Sequence, residues 1–255
     1  MIYREQQGTG PEVILIHGWG MHGGIWANIT HQLAQHYRVT VVDLPGHGHS
    51  PLPAGGFDLP RLARTLLDEL PQPAHWVGWS LGGMIAMQAA LLQPQAVNTL
   101  VTVASLPQFV RSDDWPDAMP RATLSSFINH LRKDYNTTLK RFLALQVRGT
   151  ENERALLRLI QQQVANRPPP NPEALRLGLE ILRNTDLRPQ LHRLPPPYHL
   201  FFGDRDMLVP IAAAEMLHRR LPMAGYHPIA KAGHAPFLSH SDIFLSELEK
   251  LLHQQ

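Results

Sequence analysis

The 255-residue chain contains no cysteine. That absence excludes disulfides, thiolate metal sites, iron–sulfur clusters and cysteine nucleophiles together. No run of residues approaches the roughly 18 apolar positions that a membrane span requires. The first twenty residues, MIYREQQGTGPEVILIHGWG, carry charge and glycine before their first apolar run. They lack the basic–apolar–small order of a secretory signal. A cytoplasmic protein with no membrane partner is therefore expected. Excess charge is also missing: 23 Lys and Arg face 21 Asp and Glu. No nucleic-acid partner is expected from that balance.

Apolar residues, by contrast, make up 44% of the chain, enough for a sizeable core. The runs Val13–His17, Val39–Leu44, His75–Gly78 and Leu100–Ala104 are short, rich in β-branched residues and nearly continuous. Such runs read as buried parallel strands, because helices covering both faces of a sheet demand apolar residues on both. Tyr198–Gly203 reads the same way, and Tyr226–Ile229 more weakly. Helical patterns lie between them at Leu59–Leu70, Leu81–Leu92, Ala212–Leu221 and Ile243–His253. This alternation predicts an α/β protein with a doubly wound, mostly parallel sheet.

The alternation stops after Ala104 and resumes near Tyr198. Helical patterns at Thr123–Leu131, Thr137–Val147, Glu153–Val164 and Glu173–Leu182 fill the gap, which is too long for a loop. They predict a helical cap over residues 108–194, inserted into a core formed by residues 1–107 and 195–255, with the Pro195–Pro197 run stiffening the return. The middle third also differs in charge. Residues 111–193 hold 14 Lys and Arg against 9 Asp and Glu, whereas the rest of the chain holds 9 against 12. A block with its own charge sign suggests an insertion or a partner-facing surface.

Gly78-Trp79-Ser80-Leu81-Gly82 is a G-x-S-x-G sequence between a strand pattern and an Ala, Met and Leu-rich helix pattern. On a sharp strand-to-helix turn the flanking glycines have no Cβ to clash, and the Ser80 hydroxyl is exposed at a helix N-terminus. There the N–H of Leu81 and the positive end of the helix dipole can stabilise an oxyanion. The N–H of Trp19, in His17-Gly18-Trp19-Gly20 directly after an early strand, is the natural second donor. Its ring either walls an acyl pocket or simply packs. A serine hydroxyl needs a base, and the base needs an orienting carboxylate, in the chain order Ser, acid, His. Gly203-Asp204-Arg205-Asp206 offers the acid, Asp206 ahead of Asp204 because it sits on the turn into the Val209-Pro210 helix start. His234, in Ala232-Gly233-His234-Ala235-Pro236-Phe237 after the last strand pattern, is the candidate base among 15 histidines. Asp43, His47 and His49 tempt a metal reading, but the glycine-rich sequence around them is better explained as a tight strand-to-loop reversal. No metal and no cofactor is expected.

In this order, HGWG, DLPGHGHS, GWSLGG, GDRD and AGHAPF resemble the α/β-hydrolase superfamily over nearly the whole chain. The segments LVTVASLPQF, RFLALQVRGT, GLEILRNTDLR and KAGHAPFLSH bring the chain closer to the pimeloyl-[acyl-carrier protein] methyl ester esterases of biotin synthesis. The resemblance implies an α/β-hydrolase fold with a triad of Ser80, Asp206 and His234. It also implies substrate contacts from Trp19, Ser80, Leu81, His234 and the stretch Phe142, Leu143, Ala144, Leu145 and Gln146. Phe142 and Leu145 lie one helical turn apart, as apolar walls or as ordinary amphipathic core. The extra carboxylate of Asp204 is the one departure that touches the triad.

The function so implied is a serine carboxylesterase acting on acyl carrier protein that bears a pimeloyl methyl ester, with the enzyme a monomer. Residues 121–167 hold nine Lys and Arg and only three acids. Arg154 and Arg158 share one helix face and Arg141 adjoins the pocket stretch, so the three are candidates to dock an acidic carrier. Scattered charge more often marks a solvated face. A general short-chain carboxylesterase and a non-catalytic binding protein on the same fold are the alternatives. Hydrolysis of p-nitrophenyl acetate separates the binding protein from the two enzymes, and rescue of a biotin-requiring strain separates the enzymes.

Overall fold

The computed structural model describes residues 1–195 and 197–253. Seven strands form one sheet: β1 (Arg4–Gln7), β2 (Glu12–Ile16), β3 (Arg38–Val42), β4 (Ala74–Trp79), β5 (Val97–Val103), β6 (Tyr198–Gly203) and β7 (Gly225–Ile229). Their order across the sheet is β1-β3-β2-β4-β5-β6-β7. All neighbours run parallel except β1, which pairs antiparallel with β3. The expected strands are all present. β1 was not expected, because its residues REQQ are all exposed and carry no apolar alternation. A charged, short edge strand of this kind resists pairing with other chains.

The core helices are α1 (Ala27–Leu33), α2 (Leu59–Glu69), α3 (Leu81–Leu92), α8 (Ile211–Arg220), α9 (Pro236–Ser239) and α10 (Ser241–Leu252). Strand residues alternate between two cores. Ile14, Ile16 and Trp76 face α2 and α3 on one side, and Val13, Leu15 and Val77 face Trp26, Phe237 and Leu248 on the other. In α2, Leu59, Leu62, Ala63, Leu66 and Leu67 form one buried stripe at helical spacing. The Asp58 carboxylate caps its start by accepting from the Arg61 N–H at 2.8 Å. α3 is buried on nearly every side, which its run of Ala, Met, Leu and Gly permits.

Four helices stand between β5 and β6: α4 (Arg121–Lys133), α5 (Tyr135–Val147), α6 (Glu153–Ala165) and α7 (Pro172–Asn184). Asp134 caps α5 through the Thr137 N–H at 3.0 Å, and Asn171 caps α7 through the Glu173 N–H at 2.8 Å. Buried Leu124, Ile128, Leu175, Leu179 and Leu182 join α4 and α7 to the α3 side of the core. Pro196, within the run expected to stiffen the return to β6, lies outside the described residues. Among the described residues, no helix is long and apolar enough to cross a membrane.

Candidate active site

β4 ends at Trp79 and α3 begins at Leu81, so Ser80 alone makes the turn. Its backbone sits at φ 54° and ψ −118°, a conformation that costs a non-glycine residue roughly 1–3 kcal/mol. Neighbours fix it there. The Ser80 N–H donates to the Val103 carbonyl at 2.8 Å, and its carbonyl accepts the Ser105 hydroxyl at 2.7 Å. The flanking glycines are a matter of space. A Cβ on Gly78 would lie 2.4 Å from the Gly82 carbonyl oxygen, and one on Gly82 would lie 2.5 Å from that of Ile16.

The turn after β6 carries Asp206, and the loop after β7 carries His234. His234 Nδ1 lies 2.7 Å from Asp206 Oδ2, with both side chains buried. The other carboxylate oxygen, Oδ1, accepts the N–H groups of Leu208 at 2.7 Å and Val209 at 2.9 Å. A carboxylate can only accept here, so the proton sits on Nδ1 and Nε2 keeps its lone pair. Nε2 is buried and has no hydrogen-bond partner among the described residues, which leaves it free to act as a base. Asp204 does something else. It is exposed, and its Oδ1 accepts the Lys231 N–H at 2.6 Å, closing the turn beneath the His234 loop.

Ser80 is 8% exposed and opens onto a small cavity of about 70 Å³. Trp19, Phe142 and Leu145 wall it, together with Phe127, Leu179 and Leu182. Exposed Thr123 stands on the same wall. Trp19 is locked by its indole N–H, which donates to the Leu175 carbonyl of α7 at 2.8 Å. Phe142 packs edge-on against its ring at 4.7 Å. Among the described residues, neither the Trp19 N–H nor the Leu81 N–H is taken up by a hydrogen bond, which leaves both for a ligand.

The expected contact stretch therefore divides. Phe142 and Leu145 reach the cavity, whereas Leu143 turns into the other core beside Val147. Ala144 is half-buried and does not line the cavity. Gln146 is buried, and its amide donates back to the Phe142 carbonyl at 3.1 Å. Leu81 and His234 do not line the cavity with their side chains. No substrate contact was expected from Phe127, or from Leu179 and Leu182 within GLEILRNTDLR, because their helical spacing reads as ordinary core. Nor did the motifs point to the role of Trp79, whose indole N–H donates to the His234 carbonyl at 2.8 Å and so ties the base loop to the nucleophile turn.

Asp43 holds neighbouring loops rather than a metal. Its Oδ1 accepts the Gly23 N–H at 2.7 Å, and its Oδ2 accepts the His49 N–H at 2.8 Å. Arg167, from the segment after α6, donates to Asp43 Oδ1 at 2.7 Å and to Glu5 at 2.6 Å. Burial pushes the Asp43 pKa up. The two backbone N–H groups and Arg167 outweigh that and hold it below the usual value. Burial pushes the pKa of the neighbouring His17 down to about 3. Its Nε2 accepts the Leu44 N–H at 2.9 Å, tying the Trp19 loop to the end of β3. Among the described residues, no group of three or more His, Asp or Glu is positioned to hold a metal ion.

The cap cations also divide. Arg167 is spent in the pair with Asp43 and Glu5. Arg141, Arg154 and Arg158 are exposed, and no ion pair engages them among the described residues. Arg154 and Arg158 stand on α6, which contributes no residue to the cavity wall.

A family model described as the alpha/beta hydrolase fold matches residues 11–241. The pimeloyl-[acyl-carrier protein] methyl ester esterase of Methylococcus capsulatus is 47% identical over 241 residues, which is 94% of this chain and 94% of that protein. Its namesake from Aeromonas salmonicida is 44% identical over 242 residues, 94% of this chain and 95% of that protein. Among solved structures, an esterase from Exiguobacterium antarcticum superposes with a TM-score of 0.90 over 99% of this chain and 96% of that one. At 23% identity that likeness speaks to the fold alone.

Proposed function

The chain belongs to the α/β-hydrolase family, and from that premise we propose that it is a serine carboxylesterase whose substrate is the methyl ester of pimeloyl-[acyl-carrier protein]. The observation that carries the reading is the buried Asp206–His234 pair at 2.7 Å, with a strained Ser80 opening onto an apolar cavity. Relatives of that name, 47% and 44% identical over nearly full length, support the choice of substrate.

In this reading, Ser80 Oγ attacks the ester carbonyl while His234 Nε2 takes its proton. The N–H groups of Trp19 and Leu81 hold the oxyanion. Collapse expels methanol, protonated by His234, and leaves an acyl-enzyme. Water, deprotonated by His234, attacks the acyl carbon. The second collapse returns the proton to Ser80 and frees the terminal carboxylate. Asp206 keeps the imidazole in its working tautomer and stabilises the imidazolium. The cavity wall suits entry of the ester and release of the product. A neutral methyl ester enters carbon-lined space at little cost, whereas the carboxylate product is expelled by the cost of burying an unpaired charge.

Mass spectrometry of pimeloyl methyl ester on acyl carrier protein tests the reading. Wild-type protein should remove one methyl group, and Ser80→Ala should lose about 10⁶ in turnover while remaining folded. A tenth of wild-type turnover in the folded variant would sink the nucleophile assignment. The exposed arginines bear on the carrier itself. Acyl carrier proteins are acidic, so reversing Arg154 and Arg158 to Glu should slow hydrolysis of the carrier-bound ester, most at low salt. Hydrolysis of a small p-nitrophenyl ester should be nearly unchanged. Loss on neither substrate would return both arginines to a solvated surface.

A further inference from the structure

A second group of side chains lies in the sheet itself, between β6 and β7. The parallel register pairs His199 with Gly225 and Phe201 with His227. Because Gly225 has no side chain, the two imidazoles meet across it. His199 Nδ1 and His227 Nε2 are 3.3 Å apart. That is long for a nitrogen-donated hydrogen bond, whose usual length is about 2.9–3.0 Å. It is also the chord spanned by two metal–nitrogen bonds of about 2.0–2.1 Å meeting at about 104–111°, close to tetrahedral.

Gly225 is what permits the approach of the two rings. A Cβ built there would fall 2.3 Å from His199 Nδ1 and 2.9 Å from His227 Nε2. Any side chain at this position would push the two ring nitrogens apart, so glycine is what lets them approach. The His227 ring is held in place by stacking on Phe201, with centroids 4.6 Å apart and planes 15° apart. Both histidines are half-buried, so water can reach the remaining coordination positions. α10 covers this face through Phe244, and its Glu247 adds negative charge near His227.

We propose that His199 and His227 form an open two-imidazole site for a first-row divalent ion of borderline softness, Cu(II), Ni(II) or Zn(II), with water as the other ligands. Imidazole suits these ions, whereas Mg(II) and Ca(II) prefer oxygen. The bound ion would bridge β6, which leads into the Asp206 turn, and β7, which leads into the His234 loop. It would stabilise the folded chain by mass action, because the unfolded chain does not hold the two rings together.

Cu(II) titration followed by electron paramagnetic resonance, with Zn(II) calorimetry alongside, tests this. Wild-type protein should give one saturable site with a two-nitrogen signature. His199→Gln should weaken it about tenfold or more. Gly225→Ala should do the same while leaving both rings in the chain, because its methyl group would clash with both ring nitrogens and drive them apart. His227→Gln, checked for folding by circular dichroism, gives a third reading. The other histidines are constant across the set, so the differences report this pair alone. Equal affinity in wild type, His199→Gln and Gly225→Ala would overturn the proposal. So would the absence of saturable binding below about 1 mM in the wild type.

Discussion

The two carboxylates of the Gly203–Asp206 turn lie two residues apart and do different work. Asp206 is buried, with one oxygen held by two backbone N–H groups and the other on His234 Nδ1. Asp204 faces solvent and holds the Lys231 N–H. Asp206→Asn can present an amide N–H to Nδ1 and reverse the imidazole tautomer, a change that costs roughly 10⁴ in turnover in a comparable triad. Asp204→Asn keeps an acceptor oxygen for Lys231 and should leave turnover within a few-fold. Side-by-side steady-state kinetics check the ranking, and the opposite order would exchange their roles. Ser80, Asp206 and His234 were legible in the sequence as a candidate site, because each sits in a short motif whose glycines or turn residues serve a backbone need. Phe127, Leu179 and Leu182 were not, since an apolar side chain that lines a cavity has the same spacing as one that fills a core. Trp79 escaped for another reason: its hydrogen bond to the His234 carbonyl joins positions 155 residues apart.

Strands and helices with a strong period were readable almost to their ends, the four cap helices included. β1 was invisible because pairing with β3, not burial, makes it a strand. One polar tie between cap and core was equally hidden, because it is an ion pair across 124 residues. Arg167 counts in the sequence among the basic residues of the cap, yet its guanidinium is buried against Asp43 and lies over the Tyr3 ring. Removing one partner of a buried pair strands the other charge, at a cost of about 3–5 kcal/mol. Arg167→Met should fall at the low end, near 3 kcal/mol, because Asp43 retains the Gly23 and His49 N–H groups. Gly23 follows the Trp19 loop closely in the chain, so the loss should also loosen that loop. Urea denaturation should show a lower midpoint, and amide exchange should quicken at residues 18–24 and 43–49 while α3 stays protected. An unchanged midpoint would mean that the apolar contacts of α4 and α7 hold the cap without this pair.

Over the whole molecule, histidine sets the response to acid. Burial lowers the pKa values of His22, His75 and His227. It takes His47, which is almost fully buried, down to about 4. The His47 Nδ1–H donates to the Pro45 carbonyl at 3.1 Å, while its Nε2 is buried without a partner among the described residues. A proton on that nitrogen would be a buried charge with nothing to receive it. In the unfolded chain the same ring titrates at about 6.5. Between these two values the unfolded state binds more protons than the folded one, so stability rises with pH. The contribution is complete above about pH 6.5 and is lost as pH falls toward about 4. For His47 alone the loss between about pH 6.5 and 5 is on the order of 2 kcal/mol. The lowered values of the other buried histidines act in the same direction. Urea midpoints should therefore fall steadily from about pH 7.5 to 5, before most carboxylates begin to titrate. His47→Gln should give a shallower slope over that interval, because it removes one of the protons taken up on unfolding. A wild-type midpoint that holds steady or rises toward pH 5 would show that these rings are already protonated in the folded protein, each with a partner for its charge.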